Sequence, residues 1–179
     1  MRERVIVAGF GGQGVIFLGK LLAQTAMEQG LNVTYFPAYG PEVRGGRANC
    51  HVILSSEEIF SPVVASPDSL LVMNQPSWDY YAPRLDDGGL AVVNSSMVRA
   101  QPPSRSQSIF HIPATETAAA LGEVRAANMV ILGAYNHIKK LVPLEALLAS
   151  LRLALGKRKA DLFEVNAQAL RKGIELLSG

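Results

Sequence analysis

The chain of 179 residues has one cysteine, three scattered histidines and no apolar run of the roughly 18 residues needed to span a bilayer. Its single cysteine, Cys50, excludes an internal disulfide framework, a cysteine-ligated iron–sulfur cluster and a four-thiolate zinc site within this chain. His51, His111 and His137 show no metal-ligand spacing. The net charge of +2 is too small to indicate the basic stripe of a nucleic-acid-binding protein. We therefore expect no metal site, no nucleic-acid partner and no membrane association.

Size and composition indicate one domain that covers residues 1–179. The chain is 49% hydrophobic and 18% charged, an ordinary globular balance, and it is long enough to fold without disulfides or metals. An apolar run begins at residue 5, which leaves no room for a signal peptide before it. We therefore expect a cytoplasmic protein.

Apolar runs alternate with stretches of helical periodicity. The runs predict strands at residues 5–8, 32–36, 49–55, 69–73, 90–94 and 109–112. Helical spacing predicts helices at residues 15–29, 77–84, 126–140, 143–155 and 161–177, and another that begins near Thr115. The first 36 residues read as a βαβ unit, which implies a parallel strand pair and a right-handed crossover. The pattern predicts an α/β fold: a single three-layer domain with a mostly parallel, Rossmann-like sheet and a helical C-terminal segment.

A glycine-rich turn, Gly9-Phe10-Gly11-Gly12-Gln13-Gly14, follows the first predicted strand and opens the first predicted helix. Such a turn can bring backbone N–H groups and the positive end of a helix dipole to a pyrophosphate. A dinucleotide site also needs an acidic residue at the end of the second strand, which here reads Thr34-Tyr35-Phe36-Pro37. Three interpretations stay open: helix–strand packing alone, binding of an anion or cofactor phosphate, and binding of NAD or FAD. Gln13 can meet a ligand or a partner subunit.

A second glycine-rich segment, over residues 38–50, contains Pro41, Arg44, Gly45, Gly46 and Arg47 between two apolar runs. Its glycines lose much backbone freedom when they are ordered, so a functional reason for the segment is expected. The arginine side chains can present guanidinium groups to carboxylates or phosphates while the backbone stays close to a partner surface.

Several segments together resemble one family, the gamma subunit or gamma domain of the 2-oxoacid:ferredoxin oxidoreductases. They occur in the expected order over nearly the whole chain. They are the glycine-rich turn at residues 9–14, Tyr39-Gly40-Pro41-Glu42-Val43-Arg44-Gly45-Gly46, Ser61-Pro62, Met73-Asn74-Gln75, Asn94-Ser95-Ser96, Asn128-Met129-Val130-Ile131-Leu132-Gly133-Ala134 and Asn166.

The resemblance implies an oxidative decarboxylation in which a 2-oxoacid, coenzyme A and oxidised ferredoxin give acyl-CoA, carbon dioxide and reduced ferredoxin. It implies alpha and beta partner subunits, with a delta subunit in some enzymes, and these hold thiamine diphosphate, Mg²⁺ and the iron–sulfur clusters. It implies that this chain is not catalytic alone and binds none of those cofactors itself. The segment from Met73 to Ser77 and the chain length favour the 2-oxoglutarate type, with pyruvate, branched-chain and indolepyruvate enzymes as alternatives.

The candidate site residues are Gly11, Gly12, Gln13, Arg44, Gly45 and Gly46, which we expect to line a coenzyme A cleft or a subunit interface. These two roles are compatible, because clefts between subunits are a usual place for ligands. The competing functions are a free-standing Rossmann-like nucleotide-binding protein and a scaffold without catalytic role.

Cys50 and His51 are neighbours on a predicted strand, where adjacent side chains point to opposite faces. They therefore cannot form a nucleophile–base pair there, and we interpret Cys50 as a buried structural residue. Asp86 and Asp87 precede Gly88 and predict a turn rather than an acid–base pair.

Overall fold

The computed structural model describes residues 1–38, 47–156 and 160–178. Six strands form one sheet in the order β2-β3-β1-β4-β5-β6. The strands are β1 Arg2–Gly9, β2 Asn32–Ala38, β3 Ala48–Ser55, β4 Ser69–Val72, β5 Leu90–Asn94 and β6 Ser108–Ile112. The helices are α1 Val15–Glu28, α2 Gln75–Tyr81, α3 Ala114–Ala120, α4 Ala127–Lys139, α5 Leu144–Leu155 and α6 Ala160–Glu175.

The predicted α/β fold with a mostly parallel sheet and a helical C-terminal segment is confirmed. Each predicted strand and helix is present, with ends shifted by a few residues. Short 3-10 turns extend α2 at Ala82–Arg84 and precede α4 at Val124–Ala126.

The predicted pairing of the first two strands is wrong. β3 lies between β1 and β2 and is antiparallel to both, so β1 and β2 run in the same direction without sharing hydrogen bonds. The rest of the sheet is parallel, from β1 through β4 and β5 to β6. Local sequence patterns do not reveal this arrangement, because β3 follows β2 in the chain but lies between β1 and β2 in the sheet.

Each face of the sheet has its own hydrophobic core. On β1, Val5 and Val7 point to the first face and Ile6 and Ala8 to the second, as the two-residue repeat of a strand requires. Helices α1 and α4 pack on the first face, and α3, α5 and α6 pack against these two helices. The second face carries the shorter α2, with its 3-10 turn, and extended segments around Val64 and Val98. Helices thus lie on both sides of the sheet, which gives the expected three layers.

Helices α4 and α6 make the closest helix contact. A Cβ atom added at Gly133 would overlap the carbonyl oxygen of Leu170, and one at Gly173 would overlap the carbonyl oxygen of Val130. The two glycines therefore let the helix backbones approach each other directly. No helix within the described residues is long and apolar enough to cross a bilayer.

Candidate functional site at the glycine-rich turn

The glycine-rich turn lies where the chain changes direction across the sheet. From β1 the chain passes through α1 to the β2–β3 side, whereas from β4 it passes through α2 to the β5–β6 side. Because β1 and β4 are hydrogen-bonded neighbours, their carboxyl ends flank the crevice at this switch. Open α/β sheets bind ligands at such a position.

Glycine is required at three places in the turn. Gly12 has a φ of 94° and Gly14 a φ of 72°, both in the left-handed region. At Gly9, a Cβ atom would lie 2.8 Å from Cγ1 of Val15 and 2.9 Å from Cβ of Met73. Gly11 differs, because a Cβ there would meet no atom within 4 Å. Gly9 thus allows tight packing, and Gly12 and Gly14 allow the left-handed backbone of the turn. Gly11 leaves an open surface.

Gln13 holds the turn to the end of β4. Its Oε1 accepts a hydrogen bond from the N–H of Phe10 at 2.7 Å and from Nδ2 of Asn74 at 3.1 Å. Its Nε2 donates to the carbonyl oxygen of Met73 at 3.2 Å. Asn74 in turn caps α2, because its Oδ1 accepts from the N–H of Ser77 at 2.9 Å. The amide of Gln13 therefore fixes the relative position of the two strand ends that form the crevice.

A cleft of about 570 Å³ opens on one side of the turn, between the start of α1 and the end of β2. Gly11 and Gly12 form part of its wall, together with Phe10, Tyr35 and the exposed Lys20. The first turn of α1 has no side-chain cap among the described residues. Its free N–H groups and the Lys20 ammonium make this cleft suitable for an anionic group.

A smaller cavity of about 260 Å³ lies on the other side of the turn, where α1 and α4 begin close together. Nδ2 of Asn128, on the first turn of α4, donates to the carbonyl oxygen of Gly14 at 3.1 Å and so joins the two helix starts. Arg125 and Asn166 also line this cavity. The guanidinium of Arg125 forms an ion pair with Glu123 at 3.1 Å, and its side chain is largely exposed.

The second glycine-rich segment lies mostly outside the described residues. Arg44, Gly45 and Gly46 belong to the gap at residues 39–46, so their expected place at the cleft stays a prediction. The described residues on either side of the gap are informative. Ala38 ends β2, and Ala48, which opens β3, pairs with Gly9 and lines the larger cleft. Both glycine-rich segments therefore begin at the same end of the sheet, where β1 and β2 end.

The position of β3 argues against a dinucleotide site of the usual kind. In such a site the strand next to β1 ends in the acid that binds the ribose. Here β3 occupies that place and runs in the opposite direction, and β2 lies about 10 Å from β1 because it is two strand spacings away. The end of β2, at Phe36, Pro37 and Ala38, carries no acid.

Cys50 and His51 point to opposite faces, as expected. Cys50 is fully buried, and burial raises the pKa of its thiol to about 12. Nδ1 of His51 accepts from the N–H of Val64 at 3.1 Å, and burial, with the nearby Arg84 charge, lowers the pKa of His51. Asp86 accepts from Nη2 of Arg4 at 2.7 Å, which gives it a structural partner in its turn. Neither pair forms a catalytic arrangement.

The profile of the pyruvate ferredoxin/flavodoxin oxidoreductase family matches residues 4–176, from β1 to the end of α6. The chain belongs to this family. The match confirms the resemblance seen in the ordered sequence segments, and it includes both sides of the crevice.

The relatives of this chain within the oxidoreductase family differ in length. The 2-oxoglutarate synthase subunit KorC of Methanothermobacter marburgensis is 35% identical over 184 residues, which cover 99% of this chain and 97% of the relative. The ketoisovalerate oxidoreductase subunit VorA of Methanothermobacter thermautotrophicus is 45% identical over 130 residues, which cover 73% of this chain but only 27% of VorA. The chain thus spans about a quarter of the VorA polypeptide.

Two solved structures of the family share the fold over almost the whole chain. The keto/oxoacid ferredoxin oxidoreductase gamma subunit from Geobacter sulfurreducens PCA has a TM-score of 0.84 and 29% identity, and 99% of each chain is covered. The 2-oxoglutarate:ferredoxin oxidoreductase from Magnetococcus marinus, with 2-oxoglutarate, coenzyme A and succinyl-CoA bound, has a TM-score of 0.89 and 26% identity. It matches 99% of this chain and 31% of that chain.

Sequence reasoning missed two features of the site. Lys20 was not predicted as a site residue, because a lysine within a helical pattern normally lies in solvent and does not by itself indicate a binding site. The contact between Asn128 and Gly14 joins residues 114 positions apart, which no local pattern reports. A signal for Asn128 was present, since a buried amide at the start of an apolar helix needs a partner.

Proposed function

We propose that this chain is the gamma subunit of a multi-subunit 2-oxoacid:ferredoxin oxidoreductase, with 2-oxoglutarate as the favoured substrate. The observation that carries the proposal is the end-to-end similarity to KorC, at 35% identity over 97% of that relative. The single domain expected over residues 1–179 is part of the proposal, and one family profile over residues 4–176 supports it.

The assembled enzyme would convert a 2-oxoacid, coenzyme A and oxidised ferredoxin to acyl-CoA, carbon dioxide and reduced ferredoxin. A lone cysteine cannot ligate an iron–sulfur cluster, so the clusters are assigned to other subunits. Among the described residues no group of three His, Cys, Asp or Glu side chains is placed to hold a metal ion. On the family resemblance, we propose that the alpha and beta partners hold thiamine diphosphate and its Mg²⁺, and that ferredoxin meets the complex rather than this chain. The cytoplasm is the compartment in which we expect the complex.

The chain's own contribution is made on both sides of the glycine-rich turn. Gln13 fixes the shape of the crevice between β1 and β4. In the adjoining larger cleft, Gly11 and Gly12 leave the surface open, and Lys20 with the start of α1 supplies positive charge for the phosphates of coenzyme A. The coenzyme A bound in the Magnetococcus marinus enzyme supports this assignment. Arg44, Gly45 and Gly46 are proposed to line this coenzyme A cleft or a subunit interface.

Two of the relatives are matched over only part of their length, VorA over 27% and the Magnetococcus marinus chain over 31%. We propose alpha and beta partner subunits, with a delta subunit in some enzymes, for the complex to which this chain belongs.

Reconstitution tests the function. The chain is combined with the other subunits of its complex, and reduction of ferredoxin is followed with 2-oxoglutarate, 2-ketoisovalerate or pyruvate in the presence of coenzyme A. We expect activity only when this chain is present, with the highest kcat/KM for 2-oxoglutarate. A higher kcat/KM for 2-ketoisovalerate would favour the second candidate, which the 45% identity to VorA supports. An isolated chain that binds NAD would contradict both.

Gly12→Leu tests the role of the turn. The substitution strains the backbone and fills the mouth of the crevice, so we expect weaker co-purification with the other subunits and a higher KM for coenzyme A. Gly30→Leu is the matched control, because Gly30 also has a positive φ of 86° and open space around it but lies at the far end of α1. Equal assembly and kinetics in the two variants would refute a role for the turn.

A further inference from the structure

We propose that an exposed aromatic–arginine patch on the second face of the sheet binds a carboxylate-bearing apolar surface of a partner subunit. The patch consists of Phe36, Val63, Tyr80, Arg47 and Arg84. The inference rests on the proposed function in that it takes the partner to be another subunit of the same oxidoreductase.

The patch begins at the edge of the sheet. Phe36 on β2 lies opposite His51 on β3, and their rings meet edge to face with centroids 6.3 Å apart. The N–H of Val64 donates to Nδ1 of His51 at 3.1 Å, which holds the extended segment around Val63 against this part of the sheet. Within the part of the chain that the structure describes, an extended segment rather than a helix lies against the β2–β3 side of the second face.

Two arginines extend the patch toward α2. The guanidinium carbon of Arg84 lies 4.2 Å from the centre of the Tyr80 ring, and that of Arg47 lies 4.7 Å from the same centre. Arg84 also contributes to the lowered pKa of His51, which places its charge close to the Phe36–His51 pair. Stacking on the Tyr80 ring orders the guanidinium of Arg84, and its N–H edge can still donate to a carboxylate.

The apolar members of the patch are unusually exposed. Phe36 is 46% exposed, Val63 57% and Tyr80 42%, and Phe60 on the same extended segment is 87% exposed. Aromatic and arginine side chains are enriched at protein interfaces and supply most of the residues that dominate binding energy. A cluster of this composition is typical of an interaction surface rather than of a solvated sheet edge.

The charges select the kind of partner. No carboxylate among the described residues pairs with Arg84, and this side chain is exposed. A symmetric contact with a second copy of the chain would bring the arginines of both copies into one interface, which the repulsion of like charges disfavours. The acidic Glu57 and Glu58 lie beyond the far end of β3 from Arg47. A different polypeptide with carboxylates set in an apolar surface therefore fits the patch best.

The test measures the affinity of the chain for the remaining subunits of its complex, purified together, at two salt concentrations. We expect Arg84→Glu and Phe36→Ser each to raise Kd by about tenfold or more, and the effect of Arg84→Glu to shrink at high salt. Two matched controls, Arg105→Glu in an exposed loop and Met27→Ser on the exposed side of α1, should leave Kd within about twofold.

The possible outcomes test the patch and the proposed function separately. Wild-type affinity in both patch variants would overturn the patch while leaving the function intact, whereas a wild-type chain that binds no other subunit overturns both. An isolated chain that sediments as a dimer, and as a monomer after Phe36→Ser, would assign the patch to self-association and overturn the inference. Circular dichroism checks the fold of each variant, and because the two substitutions lie on different elements, either one alone decides the question.

Discussion

At the scale of single residues, Gln13 is the side chain on which the shape of the crevice depends. Gln13→Ala would leave the Phe10 N–H without its side-chain acceptor, and the Met73 carbonyl would keep only the longer hydrogen bond from Nδ2 of Asn94 at 3.5 Å. We expect a loss of about 1–3 kcal/mol in the free energy of unfolding, measured by urea denaturation. Gln101→Ala is the control, because Gln101 is exposed, and it should change stability by less than about 0.5 kcal/mol. Equal stabilities would show that backbone contacts alone hold the turn.

Cys50 gives a prediction about reactivity and pH. Burial raises the pKa of its thiol from 9.0 to about 12, so the folded protein should not react with a thiol reagent at pH 8, while the protein in urea should react at once. The unfolded chain loses this proton at a lower pH than the folded chain. The stability that the neutral thiol contributes is therefore complete below pH 9 and is lost as the pH rises toward 12.

Cys50→Ala separates this contribution from that of other groups that titrate at high pH. The free energy of unfolding of the wild type should fall more steeply than that of the variant above pH 9. Identical slopes, or rapid modification of the folded wild type, would contradict the buried neutral thiol.

At the scale of elements, the crossing of α4 and α6 depends on two glycines. Gly133→Ala and Gly173→Ala each place a methyl group against the backbone of the facing helix, although alanine favours a helix more than glycine does. We expect each substitution to lower the free energy of unfolding by about 1–3 kcal/mol, because the helices must move apart. Gly11→Ala is the control for stability, since its Cβ would meet no neighbour. A stabilising effect at Gly133 would show that the helices can separate without cost.

The elements also show how far sequence patterns reach. Apolar runs such as 90–94 predict their strands well because burial and β-branching act locally, and β5 has these same bounds. The antiparallel insertion of β3 could not be predicted, because the connection to β2 is too long to carry a hairpin-turn signal and the pairing with β1 is a tertiary choice. The glycine pattern likewise marks Gly11, Gly12 and Gln13 as candidate site residues from local sequence, whereas the positions of Lys20 and Asn128 beside them depend on tertiary packing.

At the scale of the whole molecule, a buried polar group ties the start of the chain to α4. Oε1 of Glu3 accepts from Ser69 at 2.5 Å and from the hydroxyl of Tyr135 at 3.0 Å, and Oε2 pairs with Lys139 at 2.8 Å. Burial, and then the Glu3 charge, raises the pKa of Tyr135. Three residues from β4 and α4 thus share the Glu3 carboxylate of β1, at the end of the sheet remote from the crevice.

Glu3→Ala should destabilise the protein by about 3 kcal/mol, because two buried hydroxyls lose their acceptor and Lys139 loses its partner. Glu3→Gln keeps an acceptor for the hydroxyls and should cost less. Urea denaturation measures both. An equal loss in the two variants would mean that the charge, and not hydrogen bonding, makes the main contribution.

The ladder between β1 and β3 has a mechanical consequence. It runs without interruption from Arg2–Ser55 to Gly9–Ala48, so its last pair joins the start of the glycine-rich turn directly to Ala48, near the end of the second glycine-rich segment. A force or a bound group that displaces Gly9 or Ala48 must stretch this ladder or move the other residue with it. Amide hydrogen exchange at these two residues therefore gives a single local probe for events at the larger cleft, which Ala48 lines.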